Sequence, residues 1–163
     1  MLNEKMQKAL NEQINKEMYS AYLYLAMSAY CSYKGLAGFA NWFKVQYGEE
    51  MEHADKIYKY LVEQGARVEL EAIEKPPMEF GTLLEMFEKT LAHEQFVTRL
   101  IRELLELAVA EKDYATSIFL QWFVEEQVEE EANDNAIIAK LKLAGEDGAA
   151  LLGIDSDLGK RGH

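Results

Sequence analysis

Apolar side chains recur at spacings of three and four along four long stretches of this chain, and polar residues interrupt each apolar face near its middle. From about Asn3 to Tyr33 there is no Gly or Pro, and the face runs Leu10, Ile14, Glu17, Ala21, Tyr24. A second stretch, from about Phe39 to Gln64, gives Phe43, Tyr47, Glu50, Ala54, Ile57, Leu61, with Gly65 as its stop. A third opens at Thr82 and runs to about Ala110 through Phe87, Leu91, Glu94, Thr98, Ile101 and Leu105. The fourth follows the turn Glu111-Lys112-Asp113 and ends at Ala144, before Gly145; its face is Thr116, Leu120, Phe123, Gln127, Glu130, Asp134, Ile137, Leu141. All four predict amphipathic α-helices, and Thr82 with Glu85 has the spacing of a capping box.

The connections fix the expected topology. Lys34 to Gly38 is a short break that returns the second helix antiparallel to the first. Residues 66–81 contain Pro76-Pro77 and the alternation Val68-Glu69-Leu70-Glu71, so they predict extended chain. At about 3.3 Å per residue such a segment reaches roughly 50 Å, enough to cross the whole length of a helix. The expectation is an all-α four-helix bundle, one domain over residues 1–163, with the bundle from about 3 to 145. Residues 149–158 predict a short fifth helix that must dock to persist, and the tail from Gly159 is expected to be loose.

With 163 residues and 49% hydrophobic content the chain can bury a substantial core. A net charge of −12 disfavours nucleic acid and anionic membranes as partners and favours cations. Cys31 is the single cysteine, which excludes an intrachain disulfide and fits a cytoplasmic setting. No apolar run approaches the ~18 residues of a membrane span.

The chemistry lies in the interruptions. An ionised carboxylate in an apolar interior costs several kcal/mol even after relaxation, and four facing one another also repel. Glu50 and His53, three apart, share one helix face. Two divalent cations would balance Glu17, Glu50, Glu94 and Glu130, with neutral His53 and Gln127 as further ligands. Carboxylate with imidazole suits iron or manganese, whereas one cysteine cannot build an iron–sulfur centre. The fourth helix offers Gln127-Val128-Glu129-Glu130 where a symmetric dinuclear site has a second Glu-x-x-His, so the second metal should be held less tightly.

The segments Asn11 to Tyr22, Glu49-Glu50-Met51-Glu52-His53, His93-Glu94, Gln121 to Glu131 and Leu143 to Asp147 together resemble the bacterial and archaeal non-haem ferritins over almost the whole chain. The resemblance implies a ferritin-like fold and a dinuclear iron centre: Glu17, Glu50 and His53 on the first iron, Glu50 bridging, Glu94 and Glu130 on the second, Gln127 beside it. Glu49, Glu126 and Glu129 match a third, weaker iron site, and Tyr24 the tyrosine next to the centre. The implied activity is oxidation of Fe(II) by dioxygen or hydrogen peroxide and storage of ferric oxide in a homo-oligomeric shell of twenty-four subunits.

Plainer roles are expected for other residues. Glu125 and Glu131 fit a solvated helix face, and His93, one residue from Glu94, should turn away toward the surface. Trp42 and Trp122 fit packing. Met51 occupies the position of the haem-binding methionine of bacterioferritins, but the missing second Glu-x-x-His disfavours haem and favours packing or an interface. A haem-containing bacterioferritin, or a di-iron oxidase or peroxidase that retains its metal, is the alternative.

Overall fold

The computed structural model describes residues 1–162. It contains five helices: α1 (Glu4–Tyr33), α2 (Ala37–Glu63), α3 (Leu83–Ala110), α4 (Tyr114–Ala144) and α5 (Gly148–Leu158), with no strand among the described residues. Each start has a chemical cause. Asn3 accepts from the Met6 amide at 2.8 Å and Asp113 from that of Thr116 at 3.0 Å. Thr82 and Glu85 form the expected reciprocal capping box. Gly145 ends α4 with φ +57°, a backbone conformation costly for residues bearing a β-carbon.

Cross-helix contacts set the directions. Ser28 reaches the Ala40 carbonyl while Glu17 faces His53, so α1 and α2 are antiparallel. Thr90 reaches Met27 while His93 reaches Ser20, so α3 also runs against α1. The crossover, residues 66–81, is extended and strapped to α1. Asn11 donates to the Arg67 carbonyl at 3.0 Å and accepts from the Glu69 amide at 2.7 Å, and Asn15 donates to the Ala72 carbonyl at 3.0 Å. These bonds satisfy backbone groups that have no ladder partner.

Two apolar clusters fill the bundle. One gathers Met27, Phe43, Phe87 and Leu141, and the other Leu10, Ile57, Ile101 and Leu120. Every long helix passes from one cluster to the other, and the buried residues at each crossing point are polar: Glu17, Glu50 with His53, Glu94, and Gln127 with Glu130 and Asp134. The faces need small corrections: Gln46 and Leu104 are fully inward, whereas Tyr47, Leu91 and Leu105 are half-buried. One residue of rotation, about 100°, accounts for each substitution.

The fifth helix docks as its composition requires. Leu151, Ile154 and Leu158 join the first cluster, and Asp155 caps the start of α2 by accepting from the Phe39 amide at 2.9 Å. Gly38 makes that approach possible, since a β-carbon there would be driven into the Asp155 backbone carbonyl. Gly38→Ala should displace α5 and destabilise the fold by about 1–3 kcal/mol. Hydrogen exchange over residues 148–158 should accelerate in that variant, and unchanged protection would refute the packing argument.

The tail departs from expectation. Asn41 donates to the carbonyls of Leu158 and Arg161 at 3.2 and 3.0 Å, and Arg161 lies over the Trp42 ring, 4.6 Å from its centroid. The segment is therefore held through residue 161, because it satisfies polar groups that hydropathy alone does not register. His163, included in the expected loose tail, lies outside the described residues.

Candidate metal centre

The polar layer brings together the six residues expected at its middle. Glu17, Glu50, His53, Glu94, Gln127 and Glu130 are all at most 3% exposed. His53 Nδ1 lies 3.2 Å from Glu50 Oε2 and 3.8 Å from Glu17 Oε2, and these three residues can converge on one ion. A second convergent set is His53, Glu126 and Glu130, with His53 Nε2 3.7 Å from Glu126 Oε1. Glu94 sits across the layer, where Tyr24 donates its phenolic proton to Oε1 and Gln127 donates to Oε2 at 3.0 Å. The Gln127 amide also faces the Glu94 carbonyl and Thr98, so both residues are held in fixed rotamers.

Two buried glutamines complete the support. Gln13 donates to Glu17 Oε1 at 3.0 Å, and Gln46 donates to Glu130 Oε2 at 2.8 Å and Glu50 Oε1 at 3.5 Å. Each stands four residues before a glutamate of the same helix, a spacing that puts the amide within reach of the carboxylate. Aromatic rings close one side: Trp122 and Phe123 meet the His53 ring edge-on at 5.4 and 6.1 Å.

The electrostatics follow from burial and proximity. Burial, then repulsion from Glu94, raises Glu50 well above the usual carboxylate range, and burial likewise raises Glu94. Glu130 is pushed up to about 8 by burial and by Glu94. Burial acts on Glu17 in the same sense, but the facing His53 imidazolium outweighs it and lowers the carboxyl. His53 is itself raised: burial opposes its charge, yet Glu126, Glu17 and Glu50 favour it more strongly. The imidazolium thus serves as counter-cation to the carboxylates, and Glu17 Oε2 remains a buried oxygen without a hydrogen-bond partner. An oxygen-rich layer of this kind fits a cation far better than it fits its own protons.

The other predicted residues are placed less uniformly. Glu126 joins the layer through His53, Glu49 is half-buried and paired with Arg161 at 2.7 Å, and Glu129 is exposed. Met51 is exposed, outside the packed core of its own chain. Glu125 is exposed as expected, whereas Glu131 accepts from Thr98 at 2.8 Å. His93 does not point to solvent: it bonds Ser20 Oγ at 2.7 Å between the rings of Tyr19 and Tyr24, and burial lowers its pKa to about 4. A rotation of about 100° from Glu94 carries it into the α1–α3 seam rather than past it. Asp134 and Arg161 had no assigned role, although Asp134 stands one turn beyond Glu130 on the inward face.

Residues 7–144 match the ferritin family, described as a ferritin-like domain. This chain belongs to that family. The ferritin-like match extends to full-length relatives. The chain is 47% identical over 161 residues to a bacterial non-haem ferritin of Bacteroides fragilis, covering 99% of this chain and all of the relative. It is 48% identical over 151 residues to that of Campylobacter jejuni, covering 93% and 90% of the two chains. Among solved structures, the open-pore ferritin of Archaeoglobus fulgidus superposes with a TM-score of 0.98 at 52% identity, over 99% of this chain and all of that one. The expected ferritin-like fold is thereby shown, with four long helices, the long crossover and the short fifth helix.

Proposed function

We propose that this chain is an iron-storage ferroxidase, a single ferritin-like domain acting in the cytoplasm. It would oxidise Fe(II) at a dinuclear centre and deposit ferric oxide inside a shell of twenty-four subunits. One observation carries the reading above others. The six-residue polar layer separates two apolar clusters in a chain whose curated relatives are named non-haem ferritins.

In this reading Glu17, Glu50 and His53 hold the first Fe(II), Glu50 bridges, and Glu94 with Glu130 holds the second beside Gln127. Arriving Fe(II) takes the place of the protons that burial favours on Glu50, Glu94 and Glu130 and that the facing carboxylates favour on His53. The resulting anionic oxygens stabilise Fe(III) more than Fe(II), because the ion of higher charge gains more from them, and oxidation becomes favourable. Two irons together deliver two electrons, which with two protons convert dioxygen to hydrogen peroxide, or hydrogen peroxide to two waters. Tyr24 keeps its phenolic proton, since burial and then Glu94 raise its pKa, so its first task is to orient Glu94. Glu49, Glu126 and Glu129 form the third, weaker iron site through which oxidised iron leaves.

Aerobic addition of Fe(II) to metal-free protein, followed by ferric absorbance and sedimentation, tests the reading. Uptake far beyond two irons per chain in a large particle is expected. Saturation at two in a small oligomer would replace it with a di-iron oxidase or peroxidase, and a Soret band in the purified protein would favour the haem-containing form.

A further inference from the structure

Gln46 is a buried side chain whose two ends face different parts of the molecule. Its amide nitrogen donates inward, to Glu130 Oε2 at 2.8 Å and to Glu50 Oε1 at 3.5 Å, and its Oε1 accepts from Arg161 Nη2 at 3.0 Å. The nitrogen and oxygen of a glutamine amide are nearly equal in size, so the partners decide which end points where. A guanidinium offers donors only, so only the oxygen can face it. With the oxygen turned to Arg161, the nitrogen must meet the carboxylates. The reverse orientation would set the amide oxygen against the oxygens of Glu130 and Glu50. The guanidinium is itself fixed: it donates to Glu49 Oε2 at 2.7 Å and to the Trp42 carbonyl at 3.2 Å, and it lies over the Trp42 ring. Asn41 holds the backbone of the same tail by bonding the carbonyls of Leu158 and Arg161.

We propose that Arg161 is a positioning residue for the dinuclear centre: from the docked tail it fixes the Gln46 amide, and that amide holds one oxygen of Glu130 while leaving the other for the second metal ion. The proposal rests on reading Glu50 and Glu130 as metal ligands. Glu49 and Gln46 share one guanidinium nitrogen, so without Arg161 the Glu49 carboxylate becomes the anion facing the outer end of the amide and draws its nitrogen away from Glu130. Two effects of losing Arg161 therefore have opposite signs. Removing a positive charge beside the layer tightens a bound cation, whereas turning the amide over weakens it. Dominance of the second effect is what separates positioning from mere charge.

Zn2+ serves as a redox-inert probe in calorimetric titration of metal-free protein. Two tight equivalents are expected in the native chain; fewer than two would defeat the dinuclear reading itself, and the proposal with it. Arg161→Met keeps an apolar stem against Trp42 and removes the donors. It should weaken the second equivalent about tenfold and the first by less, the lower end of the range for groups that orient a metal ligand. Arg161→Lys keeps the charge, but one ammonium cannot span Gln46, Glu49 and the Trp42 carbonyl as the planar fork does, so it should fall between. Gln46→Met should weaken the second equivalent at least as much, and in that background Arg161→Met should weaken it no further, because the two residues act in series. A second equivalent unchanged or tightened by Arg161→Met overturns the proposal and leaves Arg161 as a tail anchor only. Weakening of the same size in the Gln46→Met background also overturns it. Linkage is reciprocal, so hydrogen exchange at residues 159–162 should slow when the second Zn2+ binds to the native chain and not when it binds to Gln46→Met. A native tail whose exchange ignores the metal would equally count against the proposal.

Discussion

Glu50→Ala should slow the initial oxidation of Fe(II) by about 100-fold or more, because it removes the proposed bridge. Even residues that only orient a metal ligand are worth 10–100-fold, and Glu50 is read as a ligand to both irons. Glu50 lies 3.2 Å from His53 Nδ1 and within reach of Gln46, so its loss also frees the imidazole and one amide. The fold should persist. The carboxyl is buried and repelled by Glu94, so its removal relieves an electrostatic cost while leaving both apolar clusters intact. Stopped-flow absorbance together with helical content and sedimentation reads both halves of the expectation. Glu125→Ala, at an exposed position on α4, is the matched control and should oxidise iron at the native rate. Undiminished initial rates in Glu50→Ala would remove the bridging role.

The legibility of this chain follows from how burial was encoded. Helical periodicity marks an inward face, and a carboxylate on such a face is conspicuous, which is why Glu17, Glu50, Glu94 and Glu130 are legible in the sequence. Thr82 with Glu85, and Gly145, marked helix ends because capping and positive φ depend on side chains within one turn. The polar partners were harder to find. Gln13 and Gln46 lie at the same four-residue spacing as apolar neighbours, but a glutamine carries no charge to make its burial conspicuous. His93 differs from its expected surface position because a residue adjacent to a ligand can fall in the seam between two helices as easily as on the surface. Arg161 was out of reach for a different reason. Its partners Trp42, Gln46 and Glu49 lie more than a hundred positions away, and only docking of α5 brings them together.

Asp134→Asn should stabilise the metal-free protein, and the gain should grow as pH rises. Asp134 is 1% exposed, its Oδ2 has no hydrogen-bond partner, and no metal role in the dinuclear centre accounts for it. Burial, then repulsion from Glu94 and Glu130, pushes its carboxyl up to about 9, with Arg161 opposing. The folded pKa is therefore raised above the unfolded one, so folding takes up a proton wherever the unfolded carboxyl is ionised. Stability is fully present below about pH 4 and declines as pH rises toward 9, at up to about 1.4 kcal/mol per unit. At pH 7 the accumulated cost is on the order of 4 kcal/mol, equivalent to roughly 10 °C in a domain of this size. Asparagine mimics the protonated carboxyl in shape but does not titrate, so the variant escapes this decline. Midpoints of guanidinium unfolding at pH 5 and pH 8 should separate the two proteins several-fold more at the higher pH. Divalent metal should narrow the gap, since cations at Glu94 and Glu130 offset the repulsion that raises Asp134. An equal gap at both pH values would show that Asp134 already carries its charge in the folded protein, and the uncompensated carboxyl would need another partner.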